Sequence, residues 1–423
     1  MSAPNQIAVI GLGYVGLPLS LSFADNGYDV IGLDIDDTRI EKLQQGTSYI
    51  DDVSDSYLSE QTKNGLSFTT DYADIADVDG VLICVPTPLD KTLSPDVSYV
   101  TATSESLAEV LSTDVTVVLE STVYPGATEE IVVNTFEDRG FNVGNDVFIG
   151  YSPERIDPGN NDYTIEEIPK VVGGVTEECG VRVEALYSPV FDDLVPVDSS
   201  AEAEFVKLLE NTFRTVNIAL VNELATVAST LDIDIWGAIE AASTKPFGYM
   251  PFYPGPGLGG HCLPIDPLYL SWKAKEQGLD IEFIELANNV NRQMPEHVVS
   301  RVVNLLNNHG SAVPDTNVLI IGASYKADVA DVRESPAFDV IGLLSERGAN
   351  VQYTDPHVPN LTVDGCEYES IEIQKDSVDQ FDVGIILTGH DSFDIDQILN
   401  TVDILFDTRN ITQDLESDKI YRL

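Results

Sequence analysis

Cys262 stands where a side chain is put forward for chemistry. Residues 247–267 read FGYMPFYPGPGLGGHCLPIDP, with Gly255, Gly257, Gly259 and Gly260 ahead of the thiol and Asp266 four residues behind it. Glycines let the backbone turn sharply or approach a ligand, and Pro254, Pro256 and Pro264 stiffen it. A rigid loop presenting a thiol suits nucleophilic catalysis; a Pro/Gly turn with a packed cysteine is the competing reading. Lys207, Asn211 and Arg214, at i, i+4 and i+7, form a polar stripe on one helix face. It is either a solvated face or one turned toward a substrate. A third set is Gly11-Leu12-Gly13-Tyr14-Val15-Gly16, which follows the apolar run IAVI and precedes LPLSLSFADNG and YDVIGLD. In a strand–glycine–helix–strand context this spacing reads as a dinucleotide pyrophosphate site. Asp34, 18 residues after Gly16, ends the second strand and suits the ribose hydroxyls; its charge favours NAD over NADP.

The elements that must hold these residues follow a repeated plan. Strands are expected at 80–86, 115–122, 145–153 and 170–174, as in a doubly wound α/β sheet. Their ends carry Pro86-Thr87-Pro88, Glu120-Ser121-Thr122 and Ser152-Pro153-Glu154-Arg155, where ligands bind in such sheets. Ordinary turn chemistry and a surface ion pair are the plain alternatives. A long helix follows from about Ala201, with Ser199 and Ser200 as caps and Phe205, Leu208, Leu209, Val216 and Leu220 as its apolar part. Helices continue to about residue 308. Residues 317–326 (NVLIIGASYK) then repeat the strand-into-glycine design, ending a second strand in Asp355. Strands at 381–389 and 403–410 complete that unit and place Arg409 at a strand end. The fold expected is α/β, with two Rossmann-like doubly wound parallel-sheet domains (1–198 and 309–423) joined by a central helical domain (199–308). The second lacks the full glycine fingerprint and suits a mononucleotide or sugar nucleotide.

The chain has 423 residues and a hydrophobic content of 43%, which suits two or three domains with proper cores. Its 71 acidic residues against 22 basic give a net charge of −49, spread along the whole length. Such a surface repels nucleic acid and anionic membranes. Near-molar salt, with a Debye length of about 3 Å, relieves the self-repulsion, so a halophilic protein is expected. Four cysteines without CxxC spacing exclude a disulfide framework and a familiar zinc pattern, and no metal is expected. With neither a signal core nor a membrane-length apolar run, a soluble cytoplasmic protein is expected.

The motifs GLGYVGLP, VPTP, ESTVYPG, SPER, KLLENTFRTVNIALVNE, GPGLGGHCLPIDP, GASYKADVADVRESP and DTRN together resemble the UDP-glucose/GDP-mannose dehydrogenase family of nucleotide-sugar 6-dehydrogenases. They occur in the family's order over essentially the whole chain, and the cysteine loop looks most like its UDP-N-acetylglucosamine branch. The resemblance implies a four-electron oxidation of the sugar C6 hydroxyl to a uronate, with Cys262 as nucleophile and two NAD as oxidants. It implies NAD contacts at Gly11, Gly13, Tyr14, Val15, Gly16, Asp34, Arg39, Pro86, Thr87 and Thr122. Lys207 and Asn211 would stabilise an oxyanion, and Asp266, Thr122 and Glu154 would move protons or place water. Arg155, Arg214, Tyr253, Gly257, Gly259, Gly260 and His261 would line the UDP-sugar site. Lys326, Arg333 and Arg409 would hold the diphosphate. His261 and Ile265 replace the serine and lysine of the UDP-glucose pattern, and the glutamate that often follows PEF in UDP-glucose enzymes is missing from residues 152–159 (SPERIDPG). That favours an N-acetylated sugar over UDP-glucose; UDP-N-acetylmannosamine is the alternative. A homodimer through the central domain is also implied. A single-step β-hydroxyacid-type dehydrogenase would need neither Cys262 nor the second nucleotide unit, and a non-catalytic nucleotide binder would not need the thiol, Asp266 and Lys207 together.

Overall fold

A computed structural model describes residues 5–50, 53–90, 92–155, 163–373 and 381–423. It contains two compact units, residues 1–210 with 268–280 and residues 211–267 with 281–423.

The first unit is built on an eight-stranded sheet. Its strands are β1 (Gln6–Ile10), β2 (Asp29–Leu33), β3 (Leu66–Thr69), β4 (Gly80–Ile83), β5 (Val115–Leu119), β6 (Val147–Tyr151), β7 (Lys170–Gly174) and β8 (Leu194–Val197). Their order is β3-β2-β1-β4-β5-β6-β7-β8. The first six are parallel in the doubly wound order that reverses between β1 and β4. β7 runs antiparallel to β6, and β8 lies parallel to β7. This reversed pair departs from the all-parallel expectation. Neither β3 nor β8 was anticipated, because both are short and β8 is only half-buried and carries Pro196. The central strands are apolar throughout because both faces are covered: β4, β5 and β6 are buried at every position.

The second unit holds five parallel strands, β9 (Asn317–Ile321), β10 (Asn350–Thr354), β13 (Phe381–Ile386), β14 (Val402–Asp407) and β15 (Ile420–Arg422), in the order β10-β9-β13-β14-β15. An antiparallel hairpin, β11 (Asn360–Val363) and β12 (Cys366–Glu369), lies between β10 and β13 in the chain. One face of this sheet packs into a core with the helices Glu282–Asn308 and Pro336–Glu346.

The long helix runs Ser200–Thr230, and the division between the units falls within it. Ser199 receives the Glu202 N–H at 3.1 Å, as a cap should. Its apolar residues split between faces: Leu208 is fully buried, whereas Phe205, Leu209 and Leu220 are exposed. Among the described residues, no helix is long and apolar enough to cross a membrane.

Candidate active site

The nucleotide loop of the first unit leaves β1 at Gly11, whose φ is +87°. A Cβ on Gly16 would lie 1.9 Å from the Gly11 carbonyl oxygen, so only glycine lets the helix Gly16–Asp25 start this close to the strand. At Gly13 a Cβ would meet nothing within 4 Å, the open space a pyrophosphate needs. No side chain caps the helix start at Val15, which leaves the first turn to an anion, as helix N-termini favour. Asp34 is 6% exposed; its Oδ2 accepts the Leu12 N–H at 2.9 Å and its Oδ1 the Asp36 N–H at 3.0 Å. Arg39 reaches Asp34 at 3.3 Å and lies over the Tyr49 ring, while Tyr14 is exposed at the mouth of the loop. These residues fit a bound NAD.

Beyond the neighbouring strand ends, Pro86 is exposed and Thr87 buried, and the Thr87 carbonyl accepts the Tyr269 hydroxyl at 2.8 Å. Ser121 ties its strand end to β4 by donating to the Val85 carbonyl at 2.7 Å, leaving Thr122 half-buried beside it. Beneath lies a buried charge cluster that sequence reading missed. Lys170 Nζ lies 2.7 Å from Glu120 and 3.3 Å from Glu154. The Tyr187 hydroxyl donates to the other Glu120 oxygen. Burial opposes the charge of Lys170, yet the two carboxylates hold its pKa above the usual lysine range; burial raises that of Glu120. Cys84 beside them is pushed well up, first by burial and then by Glu120, so it stays a neutral thiol. Lys207, nearly buried, donates to the Glu154 main-chain carbonyl at 2.8 Å. Arg155 is engaged by Glu210 at 2.7 Å and the Pro169 carbonyl at 2.6 Å. Glu204, a helical turn before Lys207, receives the Gly126 and Thr128 N–H groups at 2.5 and 2.8 Å; burial lifts its pKa to about 7.

In the second unit the cysteine loop is stitched to one face of the long helix. Asn211 Nδ2 donates to Asp266 at 2.6 Å, Thr215 Oγ1 to the Leu263 carbonyl at 3.0 Å, and Asn222 Oδ1 accepts the Gly255 N–H at 2.9 Å. Asn222 also donates to Asn291 at 2.9 Å. The spacing 211, 215, 222 keeps these three on one face. Thr215 continues this face rather than Arg214, which is exposed. Cys262 is exposed, and its carbonyl accepts the Ile265 and Asp266 N–H groups at 3.1 and 2.8 Å, which starts the helix Asp266–Glu276. Asp266 is 2% exposed, whereas His261 is half-buried. Pro295, inside its helix, has no N–H for the Asn291 carbonyl, and that oxygen lies 3.3 Å from where a Gly257 Cβ would be. A Cβ on Gly259 or Gly260 would press within 3 Å of Tyr325, and the Gly260 N–H reaches the Arg333 carbonyl at 2.9 Å. Tyr253 stacks on Trp236, with its hydroxyl on Glu240 at 2.9 Å. Asn222, Asn291 and Thr215 escaped sequence reading because their partners lie 33 to 76 residues away, and a short uncharged polar side chain on a helix does not reveal what stands opposite it.

Arg409 lies against the same loop: its Nη1 is 2.7 Å from the position of a Gly255 Cβ, and its Nε donates to the Leu387 carbonyl at 2.8 Å. Desolvation pushes its pKa down to about 10. Arg333 is chelated by Asp331, with Nη2 at 2.6 Å, and Lys326 is half-buried. Asp328, His357 and His390 bring potential metal-ligand atoms within 4.8 Å of one another. The buried His390 already accepts the Asp328 N–H on Nδ1 and faces Asp355 with Nε2, so neither ring nitrogen is spare. Residues 156–159 of the SPER segment lie outside the described residues.

Three family models match the chain in order: the UDP-glucose/GDP-mannose dehydrogenase NAD-binding domain at residues 5–191, its central domain at 201–293 and its UDP-binding domain at 319–414. Protein CapL of Staphylococcus aureus is 40% identical over 353 residues, covering 83% of this chain and 82% of CapL. A UDP-N-acetyl-D-glucosamine 6-dehydrogenase of Pseudomonas aeruginosa is 36% identical over 422 residues, covering 98% of both chains. The solved UDP-D-ManNAc dehydrogenase of Pyrococcus horikoshii superposes with a TM-score of 0.89 at 31% identity, over 99% of this chain and 98% of that one. The chain therefore belongs to the UDP-glucose/GDP-mannose dehydrogenase family and is an NAD-dependent UDP-sugar dehydrogenase.

Proposed function

We propose that this enzyme oxidises C6 of UDP-N-acetylglucosamine to the uronate through a covalent intermediate on Cys262. The observation that carries the reading is the exposed thiol at the head of a helix, on a loop tied to Asn211 and carrying the buried Asp266. NAD, when bound, supplies the acceptor for each of two hydrides leaving C6. After the first, C6 is an aldehyde with no carbinol hydrogen of its own to give. The Cys262 thiolate adds to that carbon and forms a thiohemiacetal. The second hydride leaves a thioester, and water releases the carboxylate and returns the thiol. Lys207 and Asn211, one turn apart on the long helix, hold the C6 oxygen as charge develops on it. Asp266 takes the proton of the hydrolytic water, and Thr122 and Glu154 act at the strand ends. Lys326 and Arg409 hold the diphosphate. Arg333 shares in this only if its pair with Asp331 opens, and Arg155 contributes once its pair with Glu210 does. The roles divide as NAD binding in 1–198, the thiol and dimer contacts in 199–308, and UDP binding in 309–423.

UDP-N-acetylmannosamine is the second reading, supported by the likeness to the Pyrococcus horikoshii enzyme. NADH counted against each UDP-sugar in high salt tests both. Two NADH per UDP-N-acetylglucosamine is the expected result; turnover of UDP-N-acetylmannosamine alone hands the assignment to the second reading. Cys262→Ser should stop before the uronate, and full uronate formation by that variant would refute the covalent route.

The enzyme is read as a cytoplasmic homodimer adapted to salt. Phe213, Leu220, Leu224, Val227 and Leu231 are exposed along one face of the long helix, an apolar stripe that a second copy would cover. Sedimentation velocity giving a monomer in molar salt overturns the dimer. Undiminished stability in dilute buffer overturns the salt adaptation.

A further inference from the structure

We propose that Lys170 is a positioning residue for the reaction, fixing Glu154 and, through the Glu154 main-chain carbonyl, the ammonium of Lys207. The geometry is a relay of short contacts in the first unit. Lys170, the first residue of β7, is 3% exposed and places its ammonium 2.7 Å from Glu120 Oε2, 3.3 Å from Glu154 Oε2 and 3.3 Å from the Pro153 carbonyl. It therefore grips the Pro153–Glu154 segment by both side chain and main chain. Glu154 Oε1 takes its own Arg155 N–H at 2.6 Å, which turns the Glu154 carbonyl outward to accept Lys207 Nζ at 2.8 Å. Behind Lys170, Glu120 is held by the Tyr187 hydroxyl, and the rings of Tyr187 and Phe191 flank the ammonium at 5.5 and 5.4 Å from their centres.

Charge explains why such a costly group stands here. Two carboxylates and two ammonium groups, Glu120, Glu154, Lys170 and Lys207, meet with no net charge in a protein whose net charge is −49. A buried pair is a weak source of stability, since apolar residues of similar volume often serve a core as well. What a buried pair does supply is a fixed place for its neighbours. Lys207 Nζ donates to a main-chain carbonyl, that of Glu154, and that carbonyl is set by the segment Lys170 grips.

The inference rests on Lys207 acting on the sugar, as proposed above, and the experiment separates the two. The double variant Lys170→Met/Glu120→Leu removes both members of the 2.7 Å pair together, taking a partner from Glu154 Oε2 and from the Tyr187 hydroxyl, and Tyr187→Phe is a milder variant that loosens Glu120 alone. Each is compared with wild type for melting temperature, NAD binding by fluorescence, kcat and KM. The deuterium isotope effect on kcat is measured with a C6-deuterated UDP-sugar. The double variant should stay folded, with any fall in melting temperature recording the partners lost by Glu154 and Tyr187, and should bind NAD like wild type, with KM for NAD changed less than about 3-fold. Its kcat should fall on the order of 10- to 100-fold, as misplacement of a reacting group does. Its isotope effect should rise because hydride transfer becomes slower. Tyr187→Phe should show the same split more weakly. A folded double variant with wild-type kcat and isotope effect overturns the proposal. If the double variant does not fold, Tyr187→Phe with unchanged kcat overturns it. Lys207→Ala with undiminished kcat instead overturns the role given to Lys207, whatever Lys170 does.

Discussion

The two glycine loops begin alike and then part. Gly11 and Gly322 both leave a first strand with positive φ, +87° and +82°, and a Cβ on either would press on the end of the adjacent strand, at the carbonyls of Cys84 and Thr388. Their N–H groups donate to the last residue of the second strand, Leu33 and Thr354, at 2.8 and 2.9 Å. The next residue then carries a carboxylate, Asp34 or Asp355. Each accepts the N–H one residue past the glycine, Leu12 at 2.9 Å or Ala323 at 2.7 Å. Here the likeness ends. Asp355 also takes the N–H groups of Ser324, His357 and Val358 and the Nε2–H of His390. Among the described residues, Asp34 adds only the Asp36 N–H and the half-exposed Arg39. One carboxylate keeps capacity for a ribose; the other is saturated and has become part of the core. The same backbone plan thus serves as a dinucleotide site in one unit and as a scaffold in the other.

Four measurements can break that comparison. Gly16→Val puts a Cβ 1.9 Å from the Gly11 oxygen, so the loop must open. NAD turnover should fall at least about 100-fold by the loss of a group aligned for reaction, and retained turnover would show that the close approach is dispensable. Asp355→Ala strands its donors in the core and should cost on the order of 3–5 kcal/mol of stability, read by denaturant unfolding, with KM for NAD unchanged in the folded fraction. Asp34→Ala should do the reverse. The KM for NAD should rise about 10-fold or more, the equivalent of roughly 1.4 kcal/mol, NADP should gain relative to NAD, and stability should change less than in Asp355→Ala. Equal stability losses in the two variants would erase the distinction. The smallest effect concerns pH. Burial alone would raise the Asp355 pKa, but the His390 contact and the backbone N–H groups bring it below the usual carboxylate range. A depressed folded-state pKa contributes stability above the unfolded value near 3.9 that is lost as pH falls through the folded one. The gap between wild type and Asp355→Asn should therefore be full above about pH 4 and narrow below it, by acid titration of circular dichroism. A gap that widens toward acid would reverse the assignment.

The first fingerprint was legible because everything it needs is local. Glycine positions, the strand before them and the acid after them all lie within residues 6–34, and backbone sterics decide the rest. The cysteine loop was legible for the same reason, since its prolines and glycines act on their own φ and ψ. The polar stripe was half legible. Lys207 and Asn211 were found from helical periodicity, whereas Arg214 proved exposed and Thr215 took its place in the stitching. Periodicity gives a direction around a helix to within a residue, and a contact depends on what stands opposite.

Composition and short-range pattern thus determined the family resemblance, the α/β plan, the glycine loop of the NAD-binding domain and the choice of Cys262 as the thiol proposed to react. Only the tertiary structure decided which buried charges meet and which carboxylate is spent. Glu120 and Lys170 are 50 residues apart, Asp355 and His390 35, and Asn222 and Gly255 33. No local rule links such pairs. Each is selected because a polar group taken out of water must find a partner, and only the folded chain fixes which partner is within reach.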